Sequence, residues 1–186
     1  MRKIGIYGGT FDPIHHGHLI LAREAREHLK LDLVMLVPAA VSPFKKTPSA
    51  SATDRLAMLQ AAVADETSFA IDDRELHRAP PSYTIDTVES IHHQHHDAEL
   101  FYLIGQDNVS GLPNWHRFTE LEKLVRFVVL DRTAEPASHS HHVIRRTIDI
   151  SATEIRNRVA SHRSIRYLVP DAVNEIIQSR RLYREN

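Results

Sequence analysis

Apolar runs of strand length alternate along this chain with apolar positions at helical spacing. Lys3–Tyr7 reads as a first strand, and Leu19, Ala22 and Leu29 share one face of a helix that the pattern starts near Leu19. Asp32–Val37 is a short, mostly apolar run ended by Pro38, as expected of a strand buried on both faces. Thr53 or Asp54 can cap a helix carrying Leu56, Leu59 and Val63. Phe69–Asp72 is a weaker strand. Thr84 to about His95 is a helix, with Ile85, Val88 and Ile91 three apart. Leu100–Ile104, closed by Gly105, and Val125–Leu130 are further strands. Ile148 and Ile150 are expected in a short last strand, Ser151 opens a helix, and a final helix follows Pro170 to near Ser179. This alternation predicts an α/β fold, a Rossmann-like doubly wound parallel sheet with helices on both faces.

The pattern shows no repeat and no linker, so the 186 residues are expected to form one domain, 1–186, with a short C-terminal helical segment at about 152–183. A formal net charge of -1 leaves no broad basic surface for nucleic acid, so any anion site must be local. The absence of cysteine excludes disulfides and thiolate metal sites and fits a reducing compartment. The chain enters its first strand without a signal-peptide pattern, and no apolar run approaches membrane-spanning length. The expected location is therefore the cytoplasm, with no membrane partner; the pattern specifies no oligomeric state. Two polar stretches read as loops: Ala39–Ala52, with Lys45 and Lys46, and Thr133–His142.

Chemistry concentrates in Gly8-Gly9-Thr10-Phe11-Asp12-Pro13-Ile14-His15-His16-Gly17-His18. This run sits at the carboxyl end of the first strand, where open parallel sheets bind ligands. The start of the next helix offers N–H groups and the positive end of a dipole to an anion. Gly17 lets the backbone approach closely while His15 and His18 face a phosphate, which suits a nucleoside triphosphate. Near the other end, Ser151 and Glu154 have capping-box spacing, and the helix they open carries Arg156. Taken alone, that segment reads first as an ordinary cap with a solvated arginine.

The first run resembles the signature of the nucleotidyltransferase superfamily, with its His-x-Gly-His element, and its Gly-Gly-Thr-Phe-Asp-Pro lead-in is similar to the adenylyltransferase branch. Ile150-Ser151-Ala152-Thr153-Glu154-Ile155-Arg156 is similar to that family's Ile-Ser-x-Thr-x-Ile-Arg element. The resemblance implies that Gly8, Gly9, Thr10, Phe11, His15, His18, Ile150, Ser151, Thr153 and Arg156 bind ATP, with His15, His18 and Arg156 catalytic. Lys45 matches a family lysine that joins this set, although Phe44 stands where many members carry His. Arg132 matches a loosely kept arginine but lacks the usual Pro-Gly after it, and is left outside the candidate site.

Three further segments resemble nicotinate-nucleotide adenylyltransferases. Arg74–Arg78 followed by Pro81-Ser82-Tyr83-Thr84 is similar to the middle of that family. Gly105-Gln106-Asp107-Asn108 resembles its Gly-x-Asp element, whose aspartate, here Asp107, accepts from ribose hydroxyls. Trp115 matches a tryptophan that stacks on the pyridine ring, and the backbone N–H groups of His116 and Thr84 then bind the carboxylate. A flat pyridinium is well held against an indole face. Read without the resemblance, Trp115 is an ordinary half-buried aromatic, and Asp107 and Thr84 are caps for the helices that follow.

The resemblance runs from Lys3 to about Arg158. It implies transfer of AMP from ATP, with Mg²⁺, to nicotinate mononucleotide, giving deamido-NAD and pyrophosphate. The alternatives are transfer to nicotinamide mononucleotide or phosphopantetheine, or a nucleotide-binding regulator without turnover. His92, His93, His95 and His96 near a helix end, and His139, His141 and His142 in a loop, are expected to be solvated. Only His92 and His96 have the spacing to chelate, and no protein metal ligand is expected.

Overall fold

The computed structural model describes residues 1–40, 48–79, 81–133 and 139–184. Six strands, β1 (Arg2–Gly9), β2 (Leu33–Pro38), β3 (Phe69–Ile71), β4 (Ala98–Gly105), β5 (Arg126–Asp131) and β6 (His142–Arg145), form one parallel sheet in the order β3-β2-β1-β4-β5-β6. The chain builds outward from β1 to β3, then returns to β4 and builds outward the other way. The reversal falls between β1 and β4, where Lys3 pairs with Glu99 and Tyr7 with Leu103. The crevice beyond the carboxyl ends of those two strands is where a doubly wound sheet binds ligands.

The helices are α1 (His16–Leu29), α2 (Ala52–Ala62), α3 (Thr84–Gln94), α4 (Phe118–Leu124), α5 (Ala152–Ala160) and α6 (Asp171–Ser179). Alternate strand residues feed two cores. Tyr7, Leu36, Leu103 and Val128 join Leu21, Leu59, Ile155 and Ile177 on one face. Ile6, Val37, Tyr102 and Val129 join Ile85, Val88, Ile91 and Leu121 on the other. Burial on both faces is why these strands read as unbroken apolar runs rather than alternating ones.

Three local expectations are corrected. The helix expected near Leu19 begins at His16, because the amides of His18 and Leu19 both bond the His15 carbonyl, at 3.0 and 3.3 Å. The apolar stripe could not mark that first turn, which carries histidines and glycine. Helix α2 is capped by Ser51, whose hydroxyl accepts from the Asp54 amide at 3.0 Å, rather than by Thr53 or Asp54. The last strand is His142–Arg145, not the Ile148 and Ile150 pair. Its one buried residue, Ile144, pairs with Leu130, and Arg145 is drawn to Asp131 at 2.8 Å. Ile148 and Ile150 follow it and pack, partly buried, against the first core.

After α5 the chain returns across the same face. Helix α6 packs on α2, and Arg180 pairs with Asp54 at 2.7 Å. The Leu168 carbonyl accepts the His16 amide at 3.0 Å, so one N–H at the start of α1 is already committed.

Candidate active site

A cavity of about 440 Å³ lies beyond the carboxyl ends of β1, β4 and β5. The turn Gly8–Phe11 lines it after β1, as do His15, Gly17 and His18 at the start of α1. Gly105 and Asp107 line it after β4, Arg132 after β5, and Ser151, Thr153 and Arg156 at the start of α5. Lys45 lies outside the described residues. Ile150 contributes its backbone: its carbonyl accepts from Arg132 Nη1 at 2.8 Å. A Cβ placed on Gly17 would stand 3.4 Å from that same oxygen. The starts of α1 and α5 thus abut at Gly17, bringing together residues from the two ends of the chain.

His15 caps α1 and is buried, 1% exposed. Its ring stacks on that of His18, with centroids 3.7 Å apart and planes at 26°. Phe11 and Tyr7 stand edge-on to His18 at 5.2 and 6.1 Å and complete its wall. Burial first, then the charge of Arg132, pushes the His15 imidazole down to about 3. His15 is therefore neutral near pH 7 and offers a hydrogen bond rather than a charge. Its Nδ1 is buried without a hydrogen-bond partner among the described residues. An unsatisfied buried nitrogen is costly, and a bound oxyanion could relieve that cost. Among the described residues, the arginines of the cavity are Arg132 and Arg156. Arg156 is fixed by Nη1 on the Asp12 carbonyl at 2.7 Å and Nη2 on Thr153 Oγ1 at 3.2 Å. The expected cap is present, with Ser151 Oγ accepting from the Glu154 amide at 3.1 Å.

Two charged groups brace this turn from below. The Asp12 carboxylate, 5% exposed, accepts from the amides of Ser49 at 2.7 Å and Ala50 at 3.1 Å and from the Tyr183 hydroxyl at 2.8 Å. Arg55, 1% exposed, donates to the carbonyls of Thr10 and Ala39, both at 2.7 Å, and of Ala40 at 3.4 Å. A buried guanidinium spread over three carbonyls ties the turn after β1 to the turn after β2 with charge-assisted bonds.

A second cavity, about 110 Å³, opens on the opposite face of the sheet and is lined by Thr84, Trp115 and His116 with Tyr83, Tyr102 and Glu75. Trp115 meets Tyr102 edge to face at 5.8 Å, and His116 stacks on Tyr83 at 4.2 Å. Thr84 opens α3 and its side chain bonds the Tyr102 hydroxyl; burial pushes that phenol well up, so it stays protonated. Glu75 accepts from Thr87 Oγ1 at 2.8 Å, and burial raises its carboxyl. The two cavities share Gly8, Gly9, Thr10, Gly105 and Asn108, so they meet over the ends of β1 and β4. A Cβ on Gly8 would collide with the Tyr102 hydroxyl at that seam.

The sequence matches the Cytidylyltransferase-like family over residues 6–158. A protein of Pseudomonas entomophila (strain L48) named "Probable nicotinate-nucleotide adenylyltransferase" is 43% identical over 211 residues, spanning 99% of this chain and 96% of that protein. One of the same name from Shouchella clausii (strain KSM-K16) is 43% identical over 190 residues, spanning 100% and 99%. The chain belongs to the nicotinate-nucleotide adenylyltransferase family. Its fold is shared with a solved Plasmodium falciparum nicotinic acid mononucleotide adenylyltransferase complexed with NaAD, at a TM-score of 0.81 and 16% identity, covering 98% of each chain.

In this adenylyltransferase Arg132, Arg55, Tyr102, Glu75 and Tyr183 also shape the site, although the sequence pattern does not single them out as site residues. Arg132 had a usable signal, since a cation directly after an apolar strand of a parallel sheet stands at the ligand-binding edge. Tyr183 had none, because nothing local links it to Asp12. Of the clustered histidines, His93, His96 and His142 are exposed as expected, whereas His139 and His141 are only partly so. His139 Nε2 bonds Gln106 Oε1 at 3.0 Å, and His141 packs 6.0 Å from Phe127. Among the described residues, no three His, Asp or Glu side chains are placed to hold a metal ion, and no helix is long and apolar enough to cross a membrane.

Proposed function

We propose that this chain transfers AMP from ATP to nicotinate mononucleotide, releasing pyrophosphate and leaving deamido-NAD. The observation that carries the reading is the pair of cavities meeting over Gly8–Thr10 and Gly105. One is cationic and bordered by two helix starts; the other is aromatic. The family's named members, among them the Pseudomonas and Shouchella proteins, support the same reaction.

In this reading the ATP phosphates lie among His15, His18, Ser151, Thr153 and Arg156; Lys45, outside the described residues, joins this set by family resemblance alone. Gly8–Phe11, Gly105 and Ile150 approach the nucleotide by backbone, and Asp107 accepts from its ribose. The pyridine stacks on Trp115, with the carboxylate at the backbone N–H groups of Thr84 and His116. The acceptor's phosphate oxygen attacks the α-phosphorus in line across the glycine seam. The bond to the α,β-bridging oxygen breaks, and its electron pair leaves with pyrophosphate. No side chain becomes attached; the protein positions the reactants and stabilises charge. Arg156 and Arg132 supply fixed positive charge, and neutral His15 donates a ring N–H hydrogen bond without adding charge.

Family membership implies a divalent metal with ATP, and we take it to be Mg²⁺. The donor set fits an ion that arrives on the nucleotide, since the Asp12 carboxylate is already taken by three donors. Phosphate oxygens and water would hold it, and its chemistry would be to neutralise the leaving pyrophosphate. The test is a pyrophosphate-release assay in which nicotinate and nicotinamide mononucleotides compete for one enzyme. Preferential consumption of the nicotinate form is expected. Preference for the amide would reassign the acceptor, and ATP binding without release from either would make the chain a regulator.

A further inference from the structure

We propose that Tyr183, near the end of the chain, is a positioning residue for the phosphate half of the site, acting through its hydrogen bond to Asp12. The inference rests on the adenylyl-transfer reading above.

Asp12 is the junction. Its carbonyl fixes Arg156 Nη1 at 2.7 Å. Its carboxylate receives the Ser49 amide on Oδ2, and the Ala50 amide and Tyr183 hydroxyl on Oδ1. Ser49 and Ala50 end the segment that carries Lys45 between β2 and α2. One residue therefore sets both the arginine from α5 and the root of that segment. Tyr183 alone among the carboxylate's three donors comes from outside it. With the hydroxyl gone, Oδ1 keeps only the Ala50 amide at 3.1 Å, the longest of the three bonds, and the carboxylate is freer to turn away from both amides.

The delivery of Tyr183 is built, not incidental. Its backbone lies in the left-handed region, with φ 61°, as does that of Arg181, with φ 53°. Non-glycine residues adopt this conformation at a cost that the surrounding structure must offset. The Arg180–Asp54 pair and the packing of α6 on α2 hold the tail in place, and the ring packs against the first core. Burial, and the charge of Asp12, push the phenol well up, so the hydroxyl stays a donor throughout the working range of pH.

The test compares the wild-type chain with Tyr183→Phe, which keeps the ring and removes only the hydroxyl. Loss of a hydrogen bond to a charged group predicts kcat/KM for ATP about tenfold lower. KM for the mononucleotide should stay within about twofold, because Tyr183 lies away from the aromatic cavity. The Ser49 and Ala50 amides should exchange with deuterium about tenfold faster. In an Asp12→Asn background the same change should alter kcat/KM for ATP less than about twofold. Wild-type ATP kinetics with unaltered exchange would overturn the proposal. So would equal losses with both substrates and a lowered Tm, which would make Tyr183 structural only. If the wild-type chain itself releases no pyrophosphate, the functional reading fails, while the exchange rates still decide whether Tyr183 holds the segment.

Discussion

His15 and His18 lie ring on ring, 3.7 Å apart, at the first turn of α1. Burial makes the two histidines unequal. The inner ring is buried and neutral, and it backs the outer one, which faces the phosphate cavity between Phe11 and Tyr7. The proposed mechanism makes His18 one preorganised stabiliser of the transferred adenylyl group, so kcat of His18→Ala is expected to fall at least about a hundredfold. Single-turnover rates with saturating ATP check this, and near-normal rates would remove His18 from the chemistry.

The neutral state of His15 has a consequence for acid stability. An unfolded histidine titrates near 6.5, whereas the folded His15 is held down to about 3, chiefly by burial. Between those values the unfolded chain binds a proton that the folded chain does not. Stability therefore declines as pH falls from about 6.5 towards 3, by at most about 1.4 kcal/mol per pH unit, and this group contributes no slope above that window. Urea midpoints at pH 7 and 4.5 should differ less for His15→Asn than for wild type. Equal acid lability of the two would mean that His15 is not held neutral.

Gly17 separates helix stability from site geometry. A methyl group there would stand 3.0 Å from the His15 ring, which is too buried to give way easily. Within a helix, Ala is otherwise preferred over Gly by about 0.5–1 kcal/mol. Gly17→Ala should therefore leave Tm within a few degrees of wild type and still lower kcat about tenfold by tilting the histidine pair. A fully active variant would show that the pair tolerates displacement.

Trp115 tests the aromatic half alone. Its indole lines the cavity beside Thr84 and His116 and is braced by Tyr102 and Phe127 at 5.8 and 6.4 Å. Trp115→Ala should raise the KM for nicotinate mononucleotide about tenfold, near 1.4 kcal/mol of stacking and cation–π attraction. The KM for ATP should change less than about twofold. Initial rates with each substrate varied in turn give both numbers, and a matching rise for ATP would remove the division of labour between the cavities.

The alternation of apolar runs made the sheet legible, because strands buried on both faces leave little room for polar residues. Its outermost strand was not legible, since His142–Arg145 buries only Ile144 and hides among arginines and histidines. The two segments that meet at the larger cavity could be read because each carries its motif within a dozen residues. Arg132 and Arg55 escaped for opposite reasons. The first follows a legible strand but lacks its usual neighbours. The second reads as a polar residue on an exposed helix face, yet its guanidinium is buried beneath two turns that no local pattern brings together. Tyr183 depends on a contact across 171 positions, which spacing rules cannot reach.

The glycine-floored seam between the cavities bears on how catalysis ends. On the proposed assignment pyrophosphate would occupy one chamber and could depart alone, whereas the dinucleotide made across the seam would span both. The product should therefore compete with ATP and with the mononucleotide alike. A ligand that bridges the seam would bind by adding two partial affinities on one rigid frame, with Gly8 and Gly9 setting how short its central linkage must be.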